Sequence, residues 1–239
     1  MKFENTKVFN FEGAIRGMRN PKNSWYRSDS EEFYWNGVWY HTDPKGYFGK
    51  YGVNFFIGKN DMKLAQMLIK AGSEHRKFMR QILVSVDITA PLYWWKEFDT
   101  YKVGTVANST STMHTLANYP ITRNCFEMDD YCEDAIVSKE EIDYLIDFLE
   151  TLRVRYLETK DKKYWKELIR WLPESWLQKR TVTMTYENLF AMCGKGQRRF
   201  HKLNEWSGID RADVPNFISW ARELPYAQEL IFIDEEDAA

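Results

Sequence analysis

The stretch that decides the fold covers residues 82–102 and reads Ile-Leu-Val-Ser-Val-Asp-Ile-Thr-Ala-Pro-Leu-Tyr-Trp-Trp-Lys-Glu-Phe-Asp-Thr-Tyr-Lys. Apolar side chains occupy every second position of its first part, at Ile82, Val84, Val86 and Ile88. A period of two indicates a half-buried β-strand. Pro91 follows, and proline is favoured at the first position of a helix. The sequence therefore predicts a strand that leads into a helix over 92–102, with Glu97 and Tyr101 on one helical face.

A hydroxyl-rich segment over 104–112 follows this helix, and we predict a loop there. Lys102 and Gly104 precede a set of hydroxyl donors, namely Thr105, Ser109, Thr110, Ser111 and Thr112. Small donors beside a glycine and a positive charge suit a phosphate or a polar heterocycle. Such hydroxyls equally cap their own backbone in polar surface loops. The residues alone favour neither interpretation.

A second candidate site is the basic segment 194–202, Gly-Lys-Gly-Gln-Arg-Arg-Phe-His-Lys, at the start of a helix predicted over 196–206. Helix N-termini bind anions through free N–H groups and the helix dipole, so a nucleotide phosphate would fit. Runs of positive charge are also common on solvated surfaces. Both interpretations stay open on this evidence.

The remaining pattern predicts one α+β domain over 1–239, with an aromatic-rich irregular insertion at about 23–51 and a frayed acidic tail at about 234–239. Further strands are predicted over 7–11 and 181–185. Asn60 or Asp61 is predicted to cap a helix ending at Ala71, and Ser138 with Glu141 forms a capping box. The other helices are predicted over 12–19, 139–160, 162–171, 186–193 and 213–224.

Composition excludes several function classes. Lys plus Arg number 33 against 35 Asp plus Glu, a net charge of −2, so no positive field attracts nucleic acid and no nucleic-acid partner is expected. The three cysteines include no CxxC pair and the four histidines no HxxxH pair, which argues against a metal site. No nucleophile elbow, P-loop or GxGxxG fingerprint occurs. Aromatic residues reach 16%, which indicates an aromatic core and subunit interface or else a stacking surface for a planar ligand.

The location of the protein is predicted from two further features. The first ten residues are mixed and charged, which is untypical of a signal peptide. No apolar run approaches the roughly 20 residues of a membrane span. We therefore expect a cytoplasmic protein with no membrane partner.

Taken in order, several segments resemble the flavin-dependent (ThyX-type) thymidylate synthases. In that family a helix, a connector with a histidine and a strand ending in Ala-Pro lead to a helix and an Arg-His-Arg motif. Here residues 68–72, His75 and 82–99 reproduce this order, and residues 100–113 occupy the motif. Arg170 precedes Leu-Pro, and Arg199 lies seven residues before a tryptophan, as in the family. The resemblance covers roughly 55–225 and implies a ThyX-like fold, with helices around a small antiparallel or mixed sheet.

The resemblance also assigns roles. It implies FAD as cofactor, NADPH and methylenetetrahydrofolate as co-substrates, a pyrimidine nucleotide as substrate and a homotetramer with sites between subunits. Flavin contacts would come from His75, Tyr101, Lys102 and Arg199. Nucleotide contacts would come from Glu97, Thr112, Arg170 and Arg199, and Ser109, Thr110 and Ser111 would lie at the reacting base.

This chain departs from the family motif at several positions. The Arg-His-Arg triplet is Thr100-Tyr101-Lys102, and the motif arginine that grips the nucleotide is Thr112. The family's nucleotide-contacting glutamine is Glu97, which only accepts hydrogen bonds and so suits the cytosine amine better than the uracil carbonyl.

Three hypotheses follow from the resemblance and its departures. One is a flavin-dependent methyl- or hydroxymethyl-transferase acting at C5 of dUMP or a dCMP-like nucleotide. The second is a nucleotide-binding protein for sensing or sequestration. The third is a structural homologue that is kept for assembly with a partner.

Overall fold

A computed structural model of the protein describes residues 1–32, 49–101, 103–129, 131, 136–194 and 199–233. Much of the predicted insertion at 23–51, the predicted flavin contact Lys102 and the predicted tail at 234–239 lie outside these residues. The strands of the described part are β1 (Lys2–Phe9), β2 (Glu31–Glu32), β3 (Phe55–Phe56), β4 (Leu83–Pro91), β5 (Val106–Ser109) and β6 (Leu177–Thr185).

Four of these strands form an antiparallel sheet in the order β1-β4-β6-β5, and β2 pairs with β3 in a separate ribbon. The predicted alternation in β4 is confirmed, because Val84, Val86 and Ile88 are buried. Val84 lies opposite Met184 of β6, so both strands turn apolar side chains to the same core. Pro91 is the last residue of β4 and the N-cap of the next helix. That helix begins at Leu92, as predicted, so Pro91 lies one position before the first helical residue.

The helices of the described part are α1 (Phe11–Arg19), α2 (Lys59–Lys70), α3 (Leu92–Phe98), α4 (Thr112–Thr115), α5 (Lys139–Thr159), α6 (Lys162–Arg170), α7 (Tyr186–Cys193), α8 (Asn204–Ser207), α9 (Phe217–Arg222) and α10 (Ala227–Leu230). The predicted capping box of α5 is confirmed, with Ser138 accepting from the Glu141 N–H and Glu141 accepting from the Ser138 N–H. The predicted α7 is confirmed over its whole length.

Three predicted elements differ from the structure. The helix predicted over 92–102 changes at Asp99 into a 3₁₀ turn, Asp99–Tyr101. The loop predicted over 104–112 contains β5, because Gly104 (φ 82°) turns the chain so that it pairs with the edge of β6. Within the helix predicted over 196–206, the described residues are helical only in α8. These elements depend on contacts with distant strands and side chains, which local periodicity does not contain.

The predicted cap of α2 is wrong, and the correction reveals a buried ion pair. Gly58 precedes α2, and the Asp29 carboxylate accepts from the backbone N–H groups of Asn60 and Asp61. The Asp61 side chain is fully buried, and one of its oxygens accepts from Arg19 Nε at 2.5 Å. Asp61 thereby fastens α2 to α1 instead of capping its own helix.

Two serine hydroxyls complete the environment of Asp61. Ser28 and Ser30 both donate to its second oxygen at 2.6 Å. Burial alone would raise the pKa of the Asp61 carboxyl, but these hydrogen bonds and the neighbouring Arg19 together hold that pKa below its ordinary value. The carboxylate is therefore stable as an anion inside the protein.

Many of the described aromatic residues lie in the core, which supports the first of the two interpretations of the aromatic excess. The largest fully buried side chains include Trp94, Trp95, Trp206, Tyr186 and Phe217. Trp94 lies between Phe98, with ring centroids 5.2 Å apart, and Trp206 at 5.5 Å. No helix within the described ranges is long and apolar enough to cross a membrane.

Candidate functional site

Glu97, near the end of α3, is the centre of the polar cluster that the structure assembles. Its Oε1 accepts from the Tyr101 hydroxyl at 3.3 Å, one helical turn further along the chain. The same oxygen lies 3.6 Å from Nε2 of His201, which comes from the basic segment 194–202. The segment that carries Glu97 and Tyr101 and the basic segment 194–202 therefore meet at one carboxylate.

His201 is held in one orientation by its own backbone neighbourhood. Its Nδ1 accepts from the Leu203 N–H at 3.1 Å, and its carbonyl accepts from the Ser207 hydroxyl at 2.6 Å. A neutral imidazole that accepts at Nδ1 carries its proton on Nε2. The N–H of the neutral ring is therefore on the nitrogen that lies 3.6 Å from Glu97 Oε1.

Trp206 forms the apolar floor of this cluster. Its ring is fully buried and lies 5.5 Å from the rings of both Tyr101 and His201, measured between centroids. Phe217 packs against its other side at 5.0 Å. Because the floor belongs to the main core, the positions of Tyr101 and His201 depend on core packing.

The face of α3 that carries Glu97 also contacts a second, more deeply buried carboxylate. The hydroxyl of Tyr93, one turn before Glu97 on α3, donates to Glu205 of α8. Glu205 is buried, whereas Glu97 is about a third exposed at 31%. Of the two, Glu97 is the carboxylate that a ligand can reach.

Arg180 is a site residue that the sequence did not single out. Its guanidinium donates to both oxygens of Asp99, at 3.0 and 3.2 Å, and lies 4.2 Å from the Trp95 ring centroid. It is paired across the sheet with Ser109, at the end of β5. The sequence did contain a signal for it. Arg180 lies two residues before the buried Val182 in β6, so the period of two places both side chains on the same face of the sheet.

Two hydroxyls of the hydroxyl-rich segment, those of Thr110 and Ser111, bond to backbone groups. Thr110 donates through Oγ1 to the Lys179 carbonyl at 2.9 Å, and Ser111 accepts from the His114 N–H as the cap of α4. Ser109 is exposed at the end of β5, and Thr112 is half-buried as the first residue of α4. These contacts support the self-capping interpretation for Ser111, whereas Thr110 bonds to the backbone of the distant strand β6.

His75 lies exposed in the connector after α2, just before a 3₁₀ helix over Arg76–Gln81. Its neighbour Arg76 is bound to the Glu187 carboxylate, with Nε 3.0 Å from both oxygens, and stacks on Phe190 at 4.6 Å. Within the described residues the imidazole of His75 makes no hydrogen bond. This side chain is therefore open to a ligand.

The structure places the two predicted nucleotide arginines on different parts of the chain. Arg170 is exposed at the end of α6 and donates to Glu167. Arg199 is half-buried and donates from Nε to the Cys193 carbonyl at 3.1 Å, with its guanidinium 5.6 Å from the Phe232 ring centroid. Within the described part, no hydrogen bond, ion pair or ring contact joins Arg170 to Glu97, Tyr101 or His201.

Cys193, which Arg199 contacts, is fully buried at the end of α7. Burial raises the pKa of its thiol well above the ordinary value, although the charges of Arg199 and Arg222 oppose the effect. The thiol is therefore protonated and unreactive in the folded protein. Across the described residues, no group of three or more His, Cys, Asp and Glu side chains is arranged to hold a metal ion.

Comparison with known proteins identifies the fold. No protein-family model matches the sequence, and no curated protein matches it significantly. Solved structures do match. One is the flavin-dependent thymidylate synthase ThyX from Helicobacter pylori complexed with FAD and dUMP, at 16% identity and a TM-score of 0.62, covering 98% of this chain and 99% of that one. Another is Thymidylate Synthase X from Helicobacter pylori with FAD and dUMP, at 14% identity and a TM-score of 0.61, covering 98% of both chains. The chain thus has the ThyX fold along nearly its whole length, as the sequence resemblance predicted.

Proposed function

We propose that this protein is a flavin-dependent pyrimidine nucleotide C5 methyl- or hydroxymethyl-transferase. The observation that carries the proposal is the end-to-end match of its fold to structures of flavin-dependent thymidylate synthases that contain FAD and dUMP. A fold hosts many activities, so the residues at the site have to support the chemistry as well.

The residues of this chain would act mainly by binding and orienting the nucleotide. Glu97 would face the base, above the apolar floor of Trp206. Arg199 would contact the pyrimidine and Arg170, exposed at the end of α6, the phosphate. In the tetramer that the resemblance implies, Arg170 would reach the nucleotide of a neighbouring subunit. Ser109, Thr110 and Ser111 would border the reacting carbon, with Thr112 beside the nucleotide.

The described residues fit a flavin ring in part. His75 is exposed and makes no hydrogen bond within the described part, and Tyr101 presents a half-buried ring above Trp206. These two side chains would hold the flavin, together with Lys102 and with Arg199 where the cofactor meets the nucleotide. When bound, the flavin would supply the hydride that NADPH delivers, and methylenetetrahydrofolate would supply the carbon.

The absorbance spectrum of protein purified without added cofactor tests this function. We expect the yellow colour of a bound flavin, with FAD released on denaturation, and turnover of dUMP or dCMP when NADPH and methylenetetrahydrofolate are added. A colourless protein that also fails to take up FAD would contradict the flavin-dependent reaction.

One observation favours a second candidate function, which is nucleotide binding for sensing or sequestration. At the Arg-His-Arg positions, the Thr100 hydroxyl already donates to the Glu97 carbonyl at 2.8 Å and Tyr101 donates to the Glu97 carboxylate. The nearby Arg180 is engaged by Asp99. Nucleotide binding measured by calorimetry in protein without flavin would support this candidate over the transferase.

We also propose that the protein is a homo-oligomer, as the resemblance implies. An apolar patch formed by Ile136, Val137, Tyr144, Leu145 and Phe148 is exposed around the first half of α5. It borders an apolar cavity of about 390 Å³ that is lined in part by Phe126 and Ile142. Contiguous apolar surface of this kind is typical of subunit interfaces.

Replacing Phe148 by aspartate is expected to dissociate the oligomer, because it places a charge within the apolar patch. Size-exclusion chromatography with light scattering would show a shift toward the monomer mass. The control is Val154→Asp, which lies six residues further along the same helix and thus on a different face. Equal masses for wild type and Phe148→Asp would remove the patch from the interface.

A further inference from the structure

We infer that His201 and Tyr101 position the Glu97 carboxylate as a base-selecting acceptor, so that the site prefers a pyrimidine nucleotide with an amino group at C4 over one with a carbonyl. This inference rests on the proposed nucleotide binding and deepens it. It assigns His201, which lies outside the motif positions of the resemblance, as a positioning residue for base recognition.

The two carboxylate oxygens of Glu97 have different surroundings. The Tyr101 hydroxyl and His201 Nε2 both approach Oε1, at 3.3 and 3.6 Å. In the described part of the chain, Oε2 accepts no hydrogen bond. One oxygen is therefore held by the protein while the other is available to a donor on a ligand.

The tautomer of His201 determines which of its ring nitrogens is the donor near Glu97. The Leu203 N–H points at Nδ1, so this nitrogen is an acceptor and the proton resides on Nε2. A donor nitrogen 3.6 Å from Oε1 restrains the orientation of the Glu97 side chain. A carboxylate held in this way accepts hydrogen bonds and donates none.

The neighbouring acidic groups already have partners. Arg180 engages both oxygens of Asp99, and Tyr93 donates to Glu205. Glu97 is partly exposed, and the rings of its two neighbours Tyr101 and His201 pack on Trp206. A C4 amine at this position would donate to Oε2, whereas a C4 carbonyl would face the carboxylate with its own lone pairs and be repelled.

The first test is calorimetric titration of the wild-type protein with dCMP and with dUMP. We expect dCMP to bind about tenfold to a hundredfold more tightly, which is the discrimination that one well-placed polar contact to a base provides. Glu97→Gln is expected to reverse or abolish this preference, because an amide can also donate to a carbonyl. Glu158→Gln, an exposed charge change near the end of α5, is the control and should leave the preference unchanged.

The second test separates positioning by His201 from a structural role. His201→Phe keeps a ring on Trp206 but removes the Nε2 donor, and we expect the dCMP-to-dUMP affinity ratio to fall by about tenfold. His201→Gln retains an N–H donor and should keep most of the ratio. Thermal unfolding of each variant shows whether it is folded. If His201→Phe does not fold, the affinity ratio of Glu97→Gln decides the test instead.

The outcomes distinguish this inference from the proposed function. If the wild-type protein binds neither nucleotide, the proposed function fails and the inference fails with it. If the protein binds dUMP as tightly as dCMP, or if His201→Phe weakens both nucleotides equally, the nucleotide site stands and the role of His201 is overturned.

Discussion

Replacing Asp61 by asparagine is expected to lower the free energy of unfolding by about 3–5 kcal/mol, the usual cost of breaking a buried ion pair by removing one partner. The substitution preserves shape but leaves the buried charge of Arg19 without its counter-ion. It also changes the acceptor of two serine hydroxyls that tie residues 28–30 to α2. Urea denaturation at pH 7 measures the loss.

A matched control distinguishes burial from charge. Glu12→Gln breaks an exposed pair with Arg16 on α1, 2.9 Å long, and should cost less than about 1 kcal/mol. A loss of similar size in both variants would contradict the assignment of Arg19 and Asp61 as a buried anchor.

The pH dependence of the Asp61 effect follows from the direction of its pKa shift. The folded-state pKa is lowered, so the stabilisation is fully present above the unfolded pKa of about 3.9 and is lost as the pH falls through the lower folded value. The stability difference between wild type and Asp61→Asn should therefore be constant from pH 7 to about pH 5 and shrink below about pH 4.

Replacing Trp206 by alanine is expected to cost about 3–5 kcal/mol, as for other large-to-small substitutions of buried aromatic residues. The variant should also lose nucleotide affinity, because the rings of Tyr101 and His201 rest on this indole. Thermal unfolding and calorimetry with dCMP measure the two effects separately.

Two controls define the role of the Trp206 ring. Trp206→Phe keeps an aromatic floor and removes an indole N–H that is buried without a hydrogen-bond partner in the described structure, so it should cost much less than alanine. Trp171→Ala removes a half-exposed tryptophan and should cost about 1 kcal/mol or less. Full nucleotide affinity in Trp206→Ala would contradict the floor role.

Much of the fold could be predicted because its signals are local. The alternation in β4, the capping box at Ser138 and the helical segment of α7 each lie within a short window of sequence. The strand β5 could not be predicted in this way, because its existence depends on pairing with β6 more than 70 residues later, from Val106 opposite Thr183 onward.

The candidate site shows the same division between local and distant information. The proximity of Glu97 and Tyr101 follows from helical spacing, and the sequence predicted it. The proximity of Glu97 and His201 joins segments about a hundred residues apart. The orientation of the His201 ring depends in turn on a hydrogen bond from the backbone N–H of Leu203. The base selection that we propose for this site would therefore depend on tertiary structure more than on the motif.

The burial of Cys193 has a practical consequence for measuring motion. A thiol reagent reaches this sulfur only when α7 and the surrounding core open, because the folded protein keeps the thiol inaccessible and protonated. The rate of labelling at low reagent concentration thus reports the free energy of opening, in the manner of hydrogen exchange. Because Arg199 contacts the Cys193 carbonyl, a nucleotide that binds Arg199 would slow the labelling, which makes this cysteine an internal sensor of ligand occupancy.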